Sequence, residues 1–118
     1  MEIINLTPHA LTIVADGETI LSVPASGQLV RCSEKVEDAG QLDVAGVSIP
    51  CVRKQMGDLE GLPAAQAATI YFVSAIAAQK AWEMGRQDVV CGSVAVRDAE
   101  GKTIGTAGFS VHPLGLVC

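Results

Sequence analysis

The strongest constraint on this chain is a dipeptide. Asp16-Gly17 separates two β-rich runs, Ala10-Leu11-Thr12-Ile13-Val14-Ala15 and Glu18-Thr19-Ile20-Leu21-Ser22-Val23. A two-residue turn between strands needs φ > 0 at its centre, which Asp-Gly accepts at low steric cost, so residues 10–23 read as a β-hairpin. Pro24-Ala25-Ser26-Gly27 ends the second strand, and Gln28-Leu29-Val30-Arg31-Cys32 alternates like a third. Glu34 to Gly40 is polar and reads as an exposed loop. A second hairpin follows, with Gln41–Val44 and Val47–Arg53 flanking a turn at Ala45-Gly46. Pro50 has no amide hydrogen to donate, so it belongs at a sheet edge or a bulge. Lys54 to Pro63, with two glycines, two acids and a proline among polar residues, reads as an irregular loop and a candidate contact surface.

The second half carries the one helical pattern. Thr69-Ile70-Tyr71-Phe72-Val73 is the expected central strand, and Ser74 can cap a helix through its hydroxyl. Ala75 to Met84 is rich in strong helix formers, and Gly85 stands where a left-handed cap is expected. Residues 88–91 and 93–97 extend again, 98–102 turn the chain, and Thr103 to Val111 returns. Gly105 and Gly108 inside that last strand signal a bulge or a close backbone approach. The expected fold is α+β and mainly β: a small rolled antiparallel or barrel-like sheet with one short helix near residues 75–84. Residues 1–118 form one domain, with a compact core over 1–111 and a loose tail over 112–118. Three of the four aromatic residues, Tyr71, Phe72 and Trp82, fall in the strand–helix unit, which is therefore the expected centre of the core.

Composition excludes several functions. Eight Lys and Arg against thirteen Asp and Glu leave a net charge of -5, the wrong sign for a nucleic-acid surface. Four aromatic residues are too few for a base-stacking platform. The most membrane-like window, Leu62 to Ala81, is rich in alanine and contains Pro63, Gln66, Gln79 and Lys80, so no spanning segment is expected. No export signal is visible in the first residues, and the expected compartment is the cytoplasm. Cys32, Cys51, Cys91 and Cys118 show no CxxC or paired-His spacing, so they read as free thiols and no metal or other cofactor is expected.

Few residues suggest chemistry. His9 and His112 are the two histidines, and no nucleophile elbow, P-loop or dinucleotide fingerprint accompanies them. No catalytic residue is assigned, and the chain is not read as an enzyme. Asn5-Leu6-Thr7-Pro8-His9 holds the sole asparagine next to a Thr-Pro bend. Its side chains either satisfy local backbone groups or form a polar lip of Asn5, Thr7 and His9 beside a ligand. Arg31, Arg53, Lys54, Arg86 and Arg97 are candidates for gripping phosphates or carboxylates, against the plainer alternative of pairing with Glu34, Asp88 and Asp98.

Several segments together carry a resemblance: Asn5-Leu6-Thr7-Pro8-His9, Gly61-Leu62-Pro63, Thr69–Ala75 with Ala78-Gln79, Arg86-x-Asp88, Val96-Arg97-Asp98, Ile104-Gly105 and Gly108-Phe109. In this order they resemble a family of small uncharacterised proteins encoded by tailed bacteriophages and prophages. The resemblance implies a phage accessory gene acting in the host bacterial cytoplasm, and transfers no activity or site residue. The expected function is non-catalytic binding of a host factor, either a host protein or a small anionic nucleotide-like ligand, to inhibit antiviral defence. A homo-oligomer is expected. The alternatives are a virion or assembly component and, third, a small enzyme.

Overall fold

A computed structural model describes residues 1–118, the side chain of Met56 excepted. The hairpin around Asp16-Gly17 forms as expected from β2 (Leu11–Ala15) and β3 (Glu18–Val23), with Asp16 at φ 51° and Gly17 at φ 78°. β2 buries Leu11, Ile13 and Val14, whereas β3 lies at a sheet edge and is exposed from Glu18 to Ser22. β2 also pairs in parallel with β9 (Thr103–Thr106), which pairs antiparallel with β8 (Ala95–Arg97), giving a four-stranded sheet ordered β3-β2-β9-β8.

The second sheet is ordered β1-β6-β7-β10. β1 (Glu2–Asn5), β6 (Thr69–Phe72) and β7 (Val89–Gly92) run parallel, and β10 (Phe109–Ser110) pairs antiparallel with β7. β6 is the expected buried strand, with Thr69, Ile70 and Tyr71 all buried. Its crossover to β7 is the helix α1 (Ala75–Glu83), capped by Ser74 and followed by Gly85 at φ 88°. Ala77, Ala78 and Ala81 face the core, and their small side chains let the helix lie close against Leu6, Tyr71, Val73 and Val89. The Trp82 indole N–H donates to the Val89 carbonyl at 2.8 Å, anchoring the helix end to β7.

The mainly β, α+β class stands, and neither sheet closes into a barrel. The expected antiparallel pairing fails at the centre, where β1, β6 and β7 are parallel. Parallel neighbours need a long crossover, which the helix supplies between β6 and β7 and the whole segment 6–68 supplies between β1 and β6. The expected single strand over 103–111 is broken at Ala107-Gly108 into β9 and β10, one in each sheet. Residues 112–118 carry no helix or strand but are tied to the body: Val117 N–H donates to the Gln87 carbonyl at 3.0 Å, and the Gln87 amide to the Gly115 carbonyl at 3.1 Å.

The largest departure lies in the middle of the chain. The expected loops at 34–40 and 54–60 belong instead to two 14-residue strands, β4 (Arg31–Val44) and β5 (Val47–Glu60), paired antiparallel around Ala45-Gly46. They join neither sheet. Val30, Leu59 and Leu62 pack against the core and hold the base of this arm. From Ser33 to Gln55 every residue is exposed except the half-buried Ala39 and Cys51. Pro50 sits opposite Gln41, beside a register shift between Asp38 and Gln41, as its missing donor demands.

Candidate functional site

The Asn5–His9 segment is organised by its asparagine. Asn5 ends β1 fully buried, and its side-chain amide donates to the His9 carbonyl at 2.7 Å and the Val23 carbonyl at 3.2 Å. Its carbonyl oxygen accepts from the Thr7 amide at 3.0 Å. The Thr7 hydroxyl, with one proton to give, lies 2.7 Å from that same oxygen and 3.0 Å from the His9 carbonyl. This is an Asx-type turn in which one side chain satisfies backbone groups that no strand reaches. Asn5 is therefore the staple of the bend, while Thr7 and His9 remain on its outer side. The Leu6 amide, donating to the Phe72 carbonyl at 2.9 Å, fastens the bend to the end of β6.

That attachment creates a cleft between the two sheets, at the carboxyl ends of the parallel strands β1 and β6. One wall is Thr7 to Thr12, the other is Phe72 and Ser74, and Gly105 and Thr106 close the floor. The volume is about 330 Å³. Gly105 is required by the packing: a Cβ there would stand 2.6 Å from the Thr12 carbonyl oxygen. Thr106 is committed to structure, its hydroxyl accepting from the Ser93 amide at 3.1 Å and lying 3.0 Å from the Gly108 carbonyl. The Phe72 ring packs against Phe109, centroids 5.9 Å apart, which fixes the face it presents. Ser74 spends its hydroxyl oxygen on the Ala77 amide at 3.3 Å, at the N-terminus of α1. The walls are thus mostly carbon with threonine and serine hydroxyls, and His9 is the one titratable side chain among the lining residues. Open α/β sheets commonly bind ligands just outside the carboxyl ends of their parallel strands.

The basic candidates do not gather here. Arg86 is a structural clamp. Its Nε and Nη2 donate to the two carboxylate oxygens of buried Asp88, each at 2.9 Å, and Nη2 also reaches the Pro63 carbonyl at 3.0 Å. Its guanidinium stands 5.8 Å from the Tyr71 ring centre. The hydrogen bonds that Arg86 donates to Asp88 raise its pKa further above the ordinary value, so the charge is permanent. Arg97 donates to the Gly101 carbonyl at 3.1 Å across the β8–β9 turn. Arg31, Arg53 and Lys54 lie on the arm, Arg31 opposite Glu60, Arg53 opposite Glu37, and Lys54 3.7 Å from Glu34 in an exposed ion pair. Of the eight sequence candidates, the fold brings Thr7 and His9 into the cleft, sets Asn5 beneath it, and leaves the five basic residues elsewhere.

The other reactive side chains are also dispersed. Cys91 is buried in the core, and burial pushes its thiol pKa up, opposed by a smaller effect from Ser110. His112 sits far along the chain against α1. The Leu114 amide donates to its Nδ1 at 2.9 Å, so its proton resides on Nε2, 3.3 Å from the Trp82 carbonyl. Among the described residues no group of three His, Cys, Asp or Glu side chains is placed to hold a metal ion, and no helix is long and apolar enough to cross a membrane.

Sequence reasoning missed Leu11, Phe72, Ser74 and Thr106 as lining residues, because they reach the cleft only when the two sheets meet. Besides Thr7 and His9, the residue whose sequence context pointed there is Gly105, expected at a close backbone approach. No protein-family model, curated protein or solved structure matches the chain.

Proposed function

We propose that the protein is a non-catalytic binding protein, a phage or prophage accessory factor that captures a host molecule in the inter-sheet cleft. The observation that carries this reading is the cleft itself. A pinned bend, a fixed aromatic face and a glycine floor line an open cleft of about 330 Å³, within the roughly 300–1,000 Å³ range of small-ligand pockets. Pro8, Leu11 and Phe72 suit a planar, largely apolar ring. The N-terminal turn of α1, beginning at Ser74, offers amide hydrogens and the positive end of the helix to an anionic group at the mouth. A nucleotide-like ligand has both parts. Holding such a signal in the host bacterial cytoplasm, without turning it over, would blunt a nucleotide-triggered antiviral defence.

Calorimetric titration with nucleosides, nucleoside monophosphates and cyclic nucleotides tests this. Monophosphates are expected to bind more tightly than their nucleosides. His9→Trp, an exposed change that fills the mouth, is expected to weaken binding at least about tenfold, or 1.4 kcal/mol. No binding by any of these compounds at millimolar concentration, and none retained on the protein from a bacterial lysate, would remove the reading. Turnover of a bound ligand would favour an enzyme instead. The projecting arm favours a second reading, a virion or assembly component, which predicts open-ended assemblies in light scattering.

A further inference from the structure

The β4–β5 arm is built to be covered, and we infer that a second copy of this chain covers it, face to face across a two-fold axis. The arm is out of scale with the body. Fourteen residues at about 3.4 Å each span roughly 48 Å, and the molecule measures 56 × 39 × 28 Å with a radius of gyration of 17.8 Å. A compact chain of this length has a radius near 13.5 Å. A two-stranded ribbon without a third strand or a helix against it is marginal in water.

The outer half of the ribbon is nonetheless sided. Register places Val44 opposite Val47 and Leu42 opposite Ile49, so these four side chains share one face. They are 48%, 60%, 58% and 44% exposed, respectively. The half-buried Cys51 follows on the same face of β5, two residues beyond Ile49. The opposite face carries the pairs Asp43–Ser48 and Gln41–Pro50, with the Ser48 hydroxyl hydrogen-bonded to the Gln41 side chain, and exposed Val52 comes on that face only beyond them, opposite Asp38. A ribbon made only to meet water has no use for this separation.

The occupant follows from charge and area. Between Gln41 and Val52 the sole charged residue is Asp43, and it lies on the polar face. The apolar face can therefore meet its own copy with no like charges opposed, the condition that an isologous contact imposes. With the two-fold axis on the Leu42–Ile49 pair, the Val44–Val47 tip of each arm covers Cys51 of the other. Four aliphatic side chains about half exposed present roughly 400 Å² per copy, or about 800 Å² in all, below the roughly 1,200 Å² of a stable standard interface. A contact of this size is weak and reversible, and the two-fold axis closes it at two copies.

Sedimentation equilibrium or light scattering from about 1 to 200 µM tests this. Wild type is expected to move from monomer to dimer across that range, while Leu42→Asp/Val47→Asp stays monomeric with an unchanged far-ultraviolet circular dichroism spectrum. Ile49→Cys, at the axis and in a Cys51→Ser/Cys118→Ser background, is expected to cross-link to its own copy on mild oxidation. A wild-type monomer throughout overturns the inference and leaves the arm to a different protein. A ladder of growing masses overturns it in favour of open assembly, and so does a dimer that survives Leu42→Asp/Val47→Asp. Nucleotide binding in the cleft is independent of these outcomes, so the two readings fail separately.

Discussion

The body and the arm are both β structure, yet almost nothing that stabilises one is present in the other. In the body, Leu6, Tyr71, Val73 and Val89 are buried to 1% exposure or less, and buried polar groups such as Asn5 and Asp88 find full sets of partners. In the arm, side chains of the same kinds face water, and its ion pair is exposed. The body is held by side-chain burial, whereas the arm is held by its ladder, its turn and its base. A matched pair of substitutions separates them most widely. Leu6→Ala removes a buried side chain and is expected to cost about 3–4 kcal/mol in denaturant unfolding. Leu42→Ala, measured below the dimerisation range, is expected to stay within about 0.5 kcal/mol of wild type. Equal costs would mean that the arm is packed on the body.

The ion pairs give the next contrast. Asp88 is buried and engages Arg86 through both carboxylate oxygens, whereas Lys54 and Glu34 are both about half exposed. Asp88→Ala leaves a partly buried guanidinium and the core side of the clamp unpaired, at an expected cost of about 2–4 kcal/mol. Lys54→Ala is expected to change unfolding by less than about 0.5 kcal/mol, because solvent screens an exposed pair. Chemical denaturation of both variants at two salt concentrations checks this, with salt acting on the arm pair alone.

The same contrast explains what could be read from the residues. The Asp16-Gly17 hairpin, the Thr69–Phe72 strand, Ser74 as cap and Gly85 beyond the helix all carry local signals, and each forms where expected. Their strands show alternation or β-branched runs because a core lies on one side or both. Glu34 to Gly40 has no such pattern, since both faces of that part of the arm meet water and nothing selects apolar residues there. Glu, Lys, Asp and Gly also favour strands least, so propensity pointed to a loop. The parallel pairing of β1 with β6 was hidden for a different reason: it joins residues more than sixty positions apart, and no turn residue encodes that. The cleft was half visible. Thr7 and His9 sit in a conspicuous local motif, while Phe72 and Thr106 become neighbours of that motif only through the sheet arrangement. The arginines misled because clustering in space, unlike residue type, is a property of the finished fold.

A single cap tests how local the body's signals are. Ser74→Ala removes the acceptor for the Ala77 amide and is expected to cost about 1 kcal/mol. Because α1 packs on the core, that loss should appear in global unfolding and in exchange of the α1 amides together. The outer arm amides, far from α1, are expected to exchange at their wild-type rate in the same sample. Faster exchange in the arm would show that helix and arm unfold as one unit.

The cysteines make the finest comparison, with Cys91 in the core and Cys51 half-buried on the arm. Burial raises the Cys91 thiol pKa above its ordinary value of 9.0. In the unfolded chain the thiol ionises at the ordinary value, so between the two pKa values the folded state holds more protons, and stability falls as pH rises. Below about pH 8 the effect is absent, since the thiol is protonated in both states. The pH dependence of thermal unfolding between pH 7 and 10.5 is therefore expected to be steeper in wild type than in Cys91→Ala above pH 9, whatever the variant's lower absolute stability. At pH 8, and at a concentration below the dimerisation range, a thiol reagent should modify Cys51 in the native protein and reach Cys91 only as fast as the body opens. If Cys91 reacts at the rate of Cys51, the body is not the closed unit that separates it from the arm.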